Sequence, residues 1–410
     1  MKKSIRIAAA AAAVAMFGLL GVELSLAVMM PDTYYVAQGE QFGIHSSLGI
    51  RVTGLTQQMP LEVYSRAGNR YRMDLELPGG AAIKSVAVQV VERDMVIPGG
   101  RPFGIKMFTE GVMVVGMSDL DMNGRSVNPA KEAGIRTGDI LLTMNGQKIA
   151  YNEDVGKIVS ASGGSPIEVT LRRGTAQQTL HLQPVSSPAD GSYKAGMWVR
   201  DSSAGIGTMT YYNPTTKIFA GLGHAICDVD TGDVMPLASG EAVDVTITGV
   251  NRGTSGFPGE LKGMFSGSRP IGSLCLNGET GIYGTADRSP IDAQPVELAT
   301  RGEVQIGEAI LYTTVEGKLP QAYSISIERI AAGDANPTKN MVIRVTDPRL
   351  LQITGGIVQG MSGSPVLQNG RLVGAVTHVF VNDPTRGYGI FAENMERTMQ
   401  EATRAGQLAA

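Results

Sequence analysis

The sequence predicts a mainly β protein with two folded units behind an N-terminal leader. At 410 residues, the chain exceeds the roughly 100 to 200 residues of one ordinary domain. Glycine fills 53 positions and only 18% of the residues are charged, which is typical of many short strands joined by tight turns. Apolar and polar residues alternate along most of the chain, and one helical pattern, from Phe391 to about Arg404, ends it.

Residues 1–30 predict the leader. Lys2, Lys3 and Arg6 precede a long apolar stretch that Glu23 interrupts, and positive residues before an apolar segment are typical of exported chains. The stretch is longer than many signal-peptide cores and shorter than the roughly 20 apolar residues that span a bilayer. Export is therefore predicted, and a cleaved signal peptide and a retained membrane anchor both stay open.

Residues 31–100 predict a tether followed by a small β region. Apolar residues alternate over residues 61–64, 71–77 and 85–91, which favours strands. Pro98-Gly99-Gly100 predict a loop that ends this region.

Charge and cysteine content exclude several classes of function. The net charge is -3 and no Lys/Arg run follows the leader, so nucleic-acid binding is not predicted. Cys227 and Cys275 are too few for a disulfide framework and match no zinc spacing, although one bridge between them stays open. Residues 228–233 resemble a calcium loop only in part, because the glycine comes early and no glutamate closes it. No metal or cofactor is predicted.

A specific pattern follows the small β region. Residues 133–142 read Ala-Gly-Ile-Arg-Thr-Gly-Asp-Ile-Leu-Leu, and residues 144–149 read Met-Asn-Gly-Gln-Lys-Ile. These residues predict a short helix, a tight turn at Gly138, a strand and an Asn-Gly turn suited to positive φ. The pattern resembles a PDZ domain, which we expect over residues 101–186. A helix at 152–162 and strands at 167–172 and 178–182 would complete it.

PDZ domains bind an extended peptide as an added strand, and a glycine-containing loop holds its terminal carboxylate. We expect this peptide-binding loop at Phe103, Gly104 and Ile105. The alternative is a PDZ fold that serves only as a spacer.

Residues 192–410 predict the second unit, after a polar linker at 184–191. Many short antiparallel strands before one C-terminal helix favour a closed β-barrel or a pair of barrels. The predicted strands are residues 207–212, 217–222, 242–250, 304–315, 323–330, 341–345, 366–368 and 371–380.

Gly360-Met361-Ser362-Gly363-Ser364-Pro365 resembles the nucleophile loop of chymotrypsin-like peptidases. Glycine lets the backbone aim N–H groups at an oxyanion without a Cβ clash. By this resemblance Ser362 is the nucleophile, and the N–H groups of Gly360 and Ser362 form the oxyanion hole. The alternative is an ordinary Gly/Ser turn of a β protein.

A serine nucleophile needs a base, and the chain holds four histidines. His45 and His181 fit surface or packing positions. His378 follows the serine loop in a strand, where a buried packing histidine is commoner. His224 follows a strand end among small residues that leave its imidazole accessible, so we expect it to be the base.

The carboxylate that would orient the histidine is less defined. Asp347, Asp228 and Asp230 compete for this role. Asp347 precedes a proline, and Asp before Pro is also a good helix N-cap. The residues alone leave this choice open.

These features together resemble the stage IV sporulation protein B peptidase family over about residues 95–392, most clearly over 354–389. The resemblance implies a PDZ module before a chymotrypsin-like serine peptidase barrel, with His224, Asp347 and Ser362 as the catalytic residues. Members are exported into the space between the two forespore membranes. They cleave themselves and an inhibitory partner of an intramembrane metalloprotease, so that a sigma-factor precursor is processed.

The resemblance also implies partners: a membrane-bound regulator as substrate, a peptide in the PDZ groove that could be the chain itself, and a membrane at the N-terminus. Three alternatives compete with this interpretation. Quality-control proteases of the high-temperature-requirement type place the peptidase before the PDZ module, which is the opposite order. An inactive scaffold would not need all three catalytic residues. A cysteine peptidase would use Cys227, three residues after His224.

Overall fold

A computed structural model describes residues 21–22, 24–44, 49–53, 66–266, 269–333 and 335–408. Most of the predicted leader, His45 and the alternating segment 61–64 lie outside these residues. Residues 24–29 are helical. Among the described residues, none of the helices combines the length and the apolar character needed to cross a membrane.

The N-terminal part folds into a sheet with strand order β1-β4-β3-β2. Alternate side chains of β3, such as Tyr71, Met73 and Leu75, are buried and pack with those of β4, because successive side chains of a strand point to opposite faces. The small β region that the alternation predicted is therefore present. Its strands are β1 (Thr33–Ala37), β2 (Arg51–Thr53), β3 (Arg70–Glu76) and β4 (Ala82–Val91).

The predicted PDZ unit packs two helices against a sheet. Asn128 caps the first helix by accepting a hydrogen bond from Lys131 N at 3.0 Å, and Val155 and Val159 of the second helix enter the core. Its elements are β6 (Pro102–Met117), β7 (Leu120–Asp121), β8 (Ser126–Val127), α1 (Pro129–Glu132), β9 (Ile140–Met144), β10 (Gln147–Lys148), α2 (Asn152–Ala161), β11 (Ile167–Arg173) and β12 (Ala176–Leu182).

A connecting region and a second sheet follow, and they share strands with the PDZ unit. The long strand β15 pairs with β6 along most of its length. The elements here are β5 (Met95–Pro98), β13 (Val185–Ser186), β14 (Tyr193–Lys194), β15 (Met197–Asn213), β16 (Ile218–Gly221), β17 (Leu237–Asn251), β18 (Glu260–Phe265), β19 (Gly272–Gly278), β20 (Gly281–Thr285) and β21 (Val296–Glu297).

The C-terminal part is a closed barrel with strand order β22-β23-β24-β27-β26-β25. A closed barrel and a mainly β chain confirm the predicted fold class. The elements are a 3-10 turn (Arg301–Glu303), β22 (Gly307–Thr313), β23 (Gln321–Ile330), β24 (Met341–Val345), α3 (Pro348–Thr354), β25 (Pro365–Gln368), β26 (Arg371–Phe380), β27 (Asp383–Phe391) and α4 (Ala392–Arg404).

The predicted division at residue 101 cuts through a continuous sheet. Strand β5 pairs with β15 and β21, and the first half of β6 pairs with β15 and β17. Only the second half of β6 pairs with the PDZ strand β9. Strand β6 is therefore shared by the PDZ unit and the sheet that leads to the barrel.

The structure places the predicted peptide-binding loop within a paired strand and not in a loop. Phe103, Gly104 and Ile105 lie inside β6, where β15 flanks them on one side and β17 on the other. Because both edges of this stretch are already paired, neither can receive a peptide, and the side chains of Phe103 and Ile105 are buried. The turn within β6 comes later, at Gly111 with φ +75°, where the partner of β6 changes from β17 to β9.

Candidate active site

The predicted nucleophile loop lies between α3 and β25. Its backbone conformation requires glycine at two positions. Gly360 has φ +92° and Gly363 has φ +93°, a region that side-chain-bearing residues rarely adopt. A Cβ on Gly363 would lie 2.0 Å from Thr208 O. The sequence Gly-Met-Ser-Gly therefore folds tightly against β15.

Strand β15 also holds this loop by hydrogen bonds. Thr208 N donates to Ser362 O at 3.0 Å, and Thr208 Oγ1 donates to Gly360 O at 2.8 Å. Thr210 Oγ1 donates to Gly363 O at 2.8 Å. Three loop carbonyls are thus fixed from one strand, which orients the peptide planes between them.

The amides of Gly360 and Ser362 keep their donors available. Within the described ranges, neither amide donates a hydrogen bond to a protein acceptor, although unpaired backbone N–H groups are rare in folded proteins. Both residues line one cavity of about 440 Å³. Two unpaired donors at a serine are what an oxyanion hole requires.

His224 reaches the same cavity through a sharp turn after β16. Leu222 has φ +67° and Gly223 has φ +71°, so the chain reverses before the imidazole. His224 Nδ1 lies 2.8 Å from Ala225 O. Because a carbonyl can only accept, Nδ1 carries the proton and Nε2 keeps its lone pair. Burial lowers the pKa of His224, so the imidazole is neutral and suited to act as a base at neutral pH.

The structure brings His224, Gly360 and Ser362 to one cavity. The Ser362 hydroxyl donates to Thr377 O at 2.8 Å, not to His224. For proton transfer, this hydroxyl must turn from the Thr377 carbonyl toward the imidazole. Catalytic hydrogen bonds are commonly incomplete before substrate binds.

Within the described residues, Asp347 accepts hydrogen bonds from Arg349 and Ser324, whereas His224 Nδ1 faces Ala225 O, so the expected Asp347–His224 pair is not formed in this structure. Asp347 caps α3: Oδ1 accepts from Arg349 N at 2.9 Å, and Oδ2 accepts from Arg349 Nη2 at 2.8 Å and Ser324 N at 3.2 Å. The Arg349 guanidinium and these amides hold the pKa of Asp347 well below its ordinary range. Asp before Pro acts here as a helix cap, which is the alternative that its sequence context offered.

The two competing carboxylates are also held elsewhere. Asp228 is buried and pairs with Arg200, and its Oδ1 accepts from the amides of Asp230 and Thr231 at 3.0 Å. Asp230 pairs with Arg200 at 2.7 Å. The proton on His224 Nδ1 is therefore directed by a backbone carbonyl and not by a carboxylate.

Sequence reasoning missed the place of His378. Its ring centroid lies 5.1 Å from that of His224, and it lines the same cavity. Burial, His224 and Lys339 lower the pKa of His378 to about 4, so it is neutral. The available signal was its position on β26, the strand that returns beside the nucleophile loop.

Cys227 lines the cavity as well, and both cysteines are free thiols. Burial and the nearby Asp233 raise the pKa of the Cys227 thiol. A raised pKa disfavours the thiolate, which is the reactive form. This environment does not favour the cysteine-peptidase alternative.

Replacing Asp347 tests whether it is a cap or a catalytic group. We expect Asp347→Asn to lower the free energy of unfolding by about 1 kcal/mol or less, because an Asn amide oxygen still caps α3 and the lost charge attraction is to the exposed Arg349 guanidinium. We expect the rate of fluorophosphonate labelling to change less than about ten-fold. Chemical denaturation and labelling kinetics measure both effects. Asp32→Asn, which breaks an exposed pair with Lys84, is the matched control. A stable Asp347→Asn protein that no longer labels would place the carboxylate in catalysis.

Comparison with known proteins gives two family matches. The SpoIVB peptidase S55 profile matches residues 191–396, and the PDZ domain profile matches residues 103–183. A probable periplasmic serine endoprotease DegP-like of Bartonella henselae is 24% identical over 166 residues, which is 39% of this chain and 32% of that protein. The chain thus spans about a third of the length of such relatives.

Two further similarities are more limited. A putative zinc metalloprotease, CPE1693, of Clostridium perfringens is 33% identical over 70 residues, 17% of this chain and 21% of that protein. The Rv3671c protease of M. tuberculosis, solved in an inactive form, aligns with a TM-score of 0.29 at 14% identity, over 48% of this chain and 83% of that one.

Proposed function

The chain belongs to the SpoIVB peptidase S55 family, and on that premise we propose that it is a serine endopeptidase with Ser362 as its nucleophile. One observation carries the proposal. Ser362, two unpaired amides and a neutral histidine converge on a single cavity. These are the nucleophile, the oxyanion donors and the base that acyl transfer requires.

In the proposed mechanism, His224 Nε2 accepts the hydroxyl proton while Ser362 Oγ forms a bond to the substrate carbonyl carbon. The N–H groups of Gly360 and Ser362 donate to the oxygen that becomes negatively charged. The peptide C–N bond then breaks, and the leaving nitrogen takes the proton from His224. A water molecule hydrolyses the acyl ester and restores the Ser362 hydroxyl. Ala225 O holds the imidazole in the tautomer that can accept the Ser362 proton. Asp347 accepts from Arg349 and Ser324 in this structure, so the proposed steps assign it no role.

We further propose that this peptidase acts outside the cytoplasm as a sporulation signalling protease. Support comes from the positively charged and apolar leader, from the family and from the periplasmic relatives. The proposed substrates are the chain itself and a membrane-bound inhibitory partner of an intramembrane metalloprotease. The proposed site is the space between the two forespore membranes, with the N-terminus at the membrane.

The signalling role is testable in an endospore-forming bacterium whose own copy is deleted. We expect the wild-type chain to restore processing of the sigma-factor precursor and Ser362→Ala to leave it unprocessed on immunoblots. His181→Gln, on the exposed face of β12, is the matched control and should restore processing. Normal processing with Ser362→Ala would refute the signalling role, while labelling of purified protein tests peptidase activity independently.

A further inference from the structure

The segment that joins the PDZ unit to the peptidase lies along the PDZ strand edge. We call residues 193–201 the cis segment; it comprises β14 and the start of β15. Met197 pairs with Met117 and Val199 pairs with Val114 in antiparallel register, and α2 contacts both β14 and β15. A strand that adds antiparallel to a sheet edge beside a helix is how a PDZ domain binds a peptide.

The side chains of the cis segment alternate as those of a bound strand do. Tyr193, Ala195, Met197 and Val199 pack on the PDZ core, whereas Trp198 is 66% exposed. Alternation places one face of a strand against its partner. In this binding mode, specificity comes from pockets for alternate side chains. The cis segment supplies such alternate apolar side chains to the PDZ core.

Backbone hydrogen bonds from the PDZ unit reach the carbonyls of the cis segment. Ala130 N donates to Ala195 O and Ser118 N donates to Gly196 O, both at 2.9 Å. Asn128 Nδ2 adds a bond to Gly196 O at 3.0 Å. Main-chain bonds of this kind supply affinity without regard to sequence.

A carboxylate ends the cis segment beside the turn of β6. Asp201 is only 8% exposed, and its Oδ2 accepts from Asn152 N, at the start of α2, at 3.0 Å. Thr109 Oγ1, next to the turn at Gly111, donates to Asp201 O at 3.1 Å. The Asp201 side chain therefore places a buried carboxylate at the N-terminus of α2, directly after the alternating apolar residues.

The cis segment is also tied to the catalytic machinery. Arg200 pairs with Asp228 and Asp230, which lie in the loop that follows His224. The same strand continues to Thr208, which holds the Ser362 loop. Removing the cis segment from the groove would therefore break the ion pairs that fix the loop after the base.

We propose that the cis segment is an intramolecular ligand of the PDZ groove. An extended segment of a protein partner, with alternating apolar residues before a carboxylate, exchanges with it, and exchange slows catalysis by releasing Arg200 from the loop beside His224. The exchange step stands on the groove geometry alone; the effect on catalysis rests on the proposed peptidase function.

The chain carries its own probe for exchange, because Trp198 is its single tryptophan. The ligand is a synthetic peptide of residues 192–201 with Trp198→Phe and a free terminal carboxylate. Added to the full Ser362→Ala chain, it should lower the fluorescence anisotropy of Trp198 saturably, because the freed segment becomes mobile. A peptide with additional Met197→Ser and Val199→Ser changes is the control and should have no effect. A Val199→Ala chain, whose cis segment packs less well, should exchange at a several-fold lower peptide concentration.

The catalytic arm uses the wild-type chain with a fluorophosphonate. Saturating peptide should slow labelling of Ser362 about five-fold or more, a range typical of coupled sites. Unchanged anisotropy with both chains, or an equal response to the control peptide, would overturn the intramolecular ligand. Exchange at an unchanged labelling rate would overturn the coupling. A folded protein that exchanges but never labels would refute the proposed peptidase function and leave the ligand assignment standing.

Discussion

Ser362→Ala is expected to abolish peptide hydrolysis and fluorophosphonate labelling, with a loss of roughly 10⁴-fold or more in kcat. The reason is that Oγ is the atom that forms the bond to the substrate carbon. The cost to folding should be small, because the hydrogen bond from this hydroxyl to Thr377 O comes from a side chain that is only partly buried. Single-turnover hydrolysis and thermal unfolding measure the two effects separately.

Ser364 provides the matched control on the same loop. Its buried hydroxyl donates to Thr313 Oγ1 at 2.9 Å, so Ser364→Ala should lower stability by about 1 kcal/mol and keep its labelling. Labelling of Ser362→Ala at the wild-type rate would refute the nucleophile assignment. Loss of labelling in a folded Ser364→Ala protein alone would move the nucleophile to Ser364.

His224→Gln is expected to cost roughly 10³-fold or more in labelling rate, because no other group in the proposed mechanism accepts the Ser362 proton. The wild-type rate should rise with pH through a single inflection below 6.5, the ordinary pKa of histidine, because burial lowers the pKa of His224 and its neutral form is the base. The rate should then level off toward neutral pH, where the imidazole is fully neutral. In His224→Gln this inflection should disappear.

Labelling rates from pH 4.5 to 8, with phosphonate stability measured in parallel, test both statements. His181→Gln is the control and should keep the wild-type profile, because His181 lies on the exposed face of β12. A wild-type inflection well above 6.5 would mean that a negative partner stabilises the charged imidazole. An unchanged inflection in His224→Gln would assign the base elsewhere.

Local sequence was sufficient where the structure is set by neighbouring residues. The strands predicted at residues 341–345 and 371–380 have the bounds found for β24 and β26. Alternation of apolar residues determines which face of a strand is buried, and that information lies within the strand. Gly360 and Gly363 have the positive φ that a tight serine loop requires, and glycine is the residue that adopts it without strain.

Local sequence failed where the outcome depends on distant pairing. Phe103 to Ile105 contain a plausible glycine turn, but β15 and β17, more than ninety residues away, cover both edges of that stretch. No pattern within the stretch shows whether a distant strand will cover its edges. The helix cap at Asp347, in contrast, could be predicted from local sequence. Its partner Arg349 is two residues away, and an Asp-Pro pair is typical of a helix start.

The pairing of the cis segment with β6 is a second feature that local sequence did not predict. Residues 184–191 read as a polar linker, and residues 193–199 gave no reason to expect a bound strand. The alternation of their side chains indicates a bound strand only once the structure shows that they pair with β6 and pack on the PDZ core. A groove formed by elements that are distant in sequence cannot be recognised from either element alone.

The position of the covalent fluorophosphonate adduct shows which residue is the nucleophile. Wild-type protein labelled near pH 7.5 and digested with a protease should yield one phosphonylated peptide by tandem mass spectrometry. We predict that fragment ions place the adduct on Ser362 and that its formation parallels the loss of peptide hydrolysis. An adduct on Ser364 or any other residue, or hydrolysis that persists after complete modification of Ser362, would contradict the assignment of Ser362 as the nucleophile.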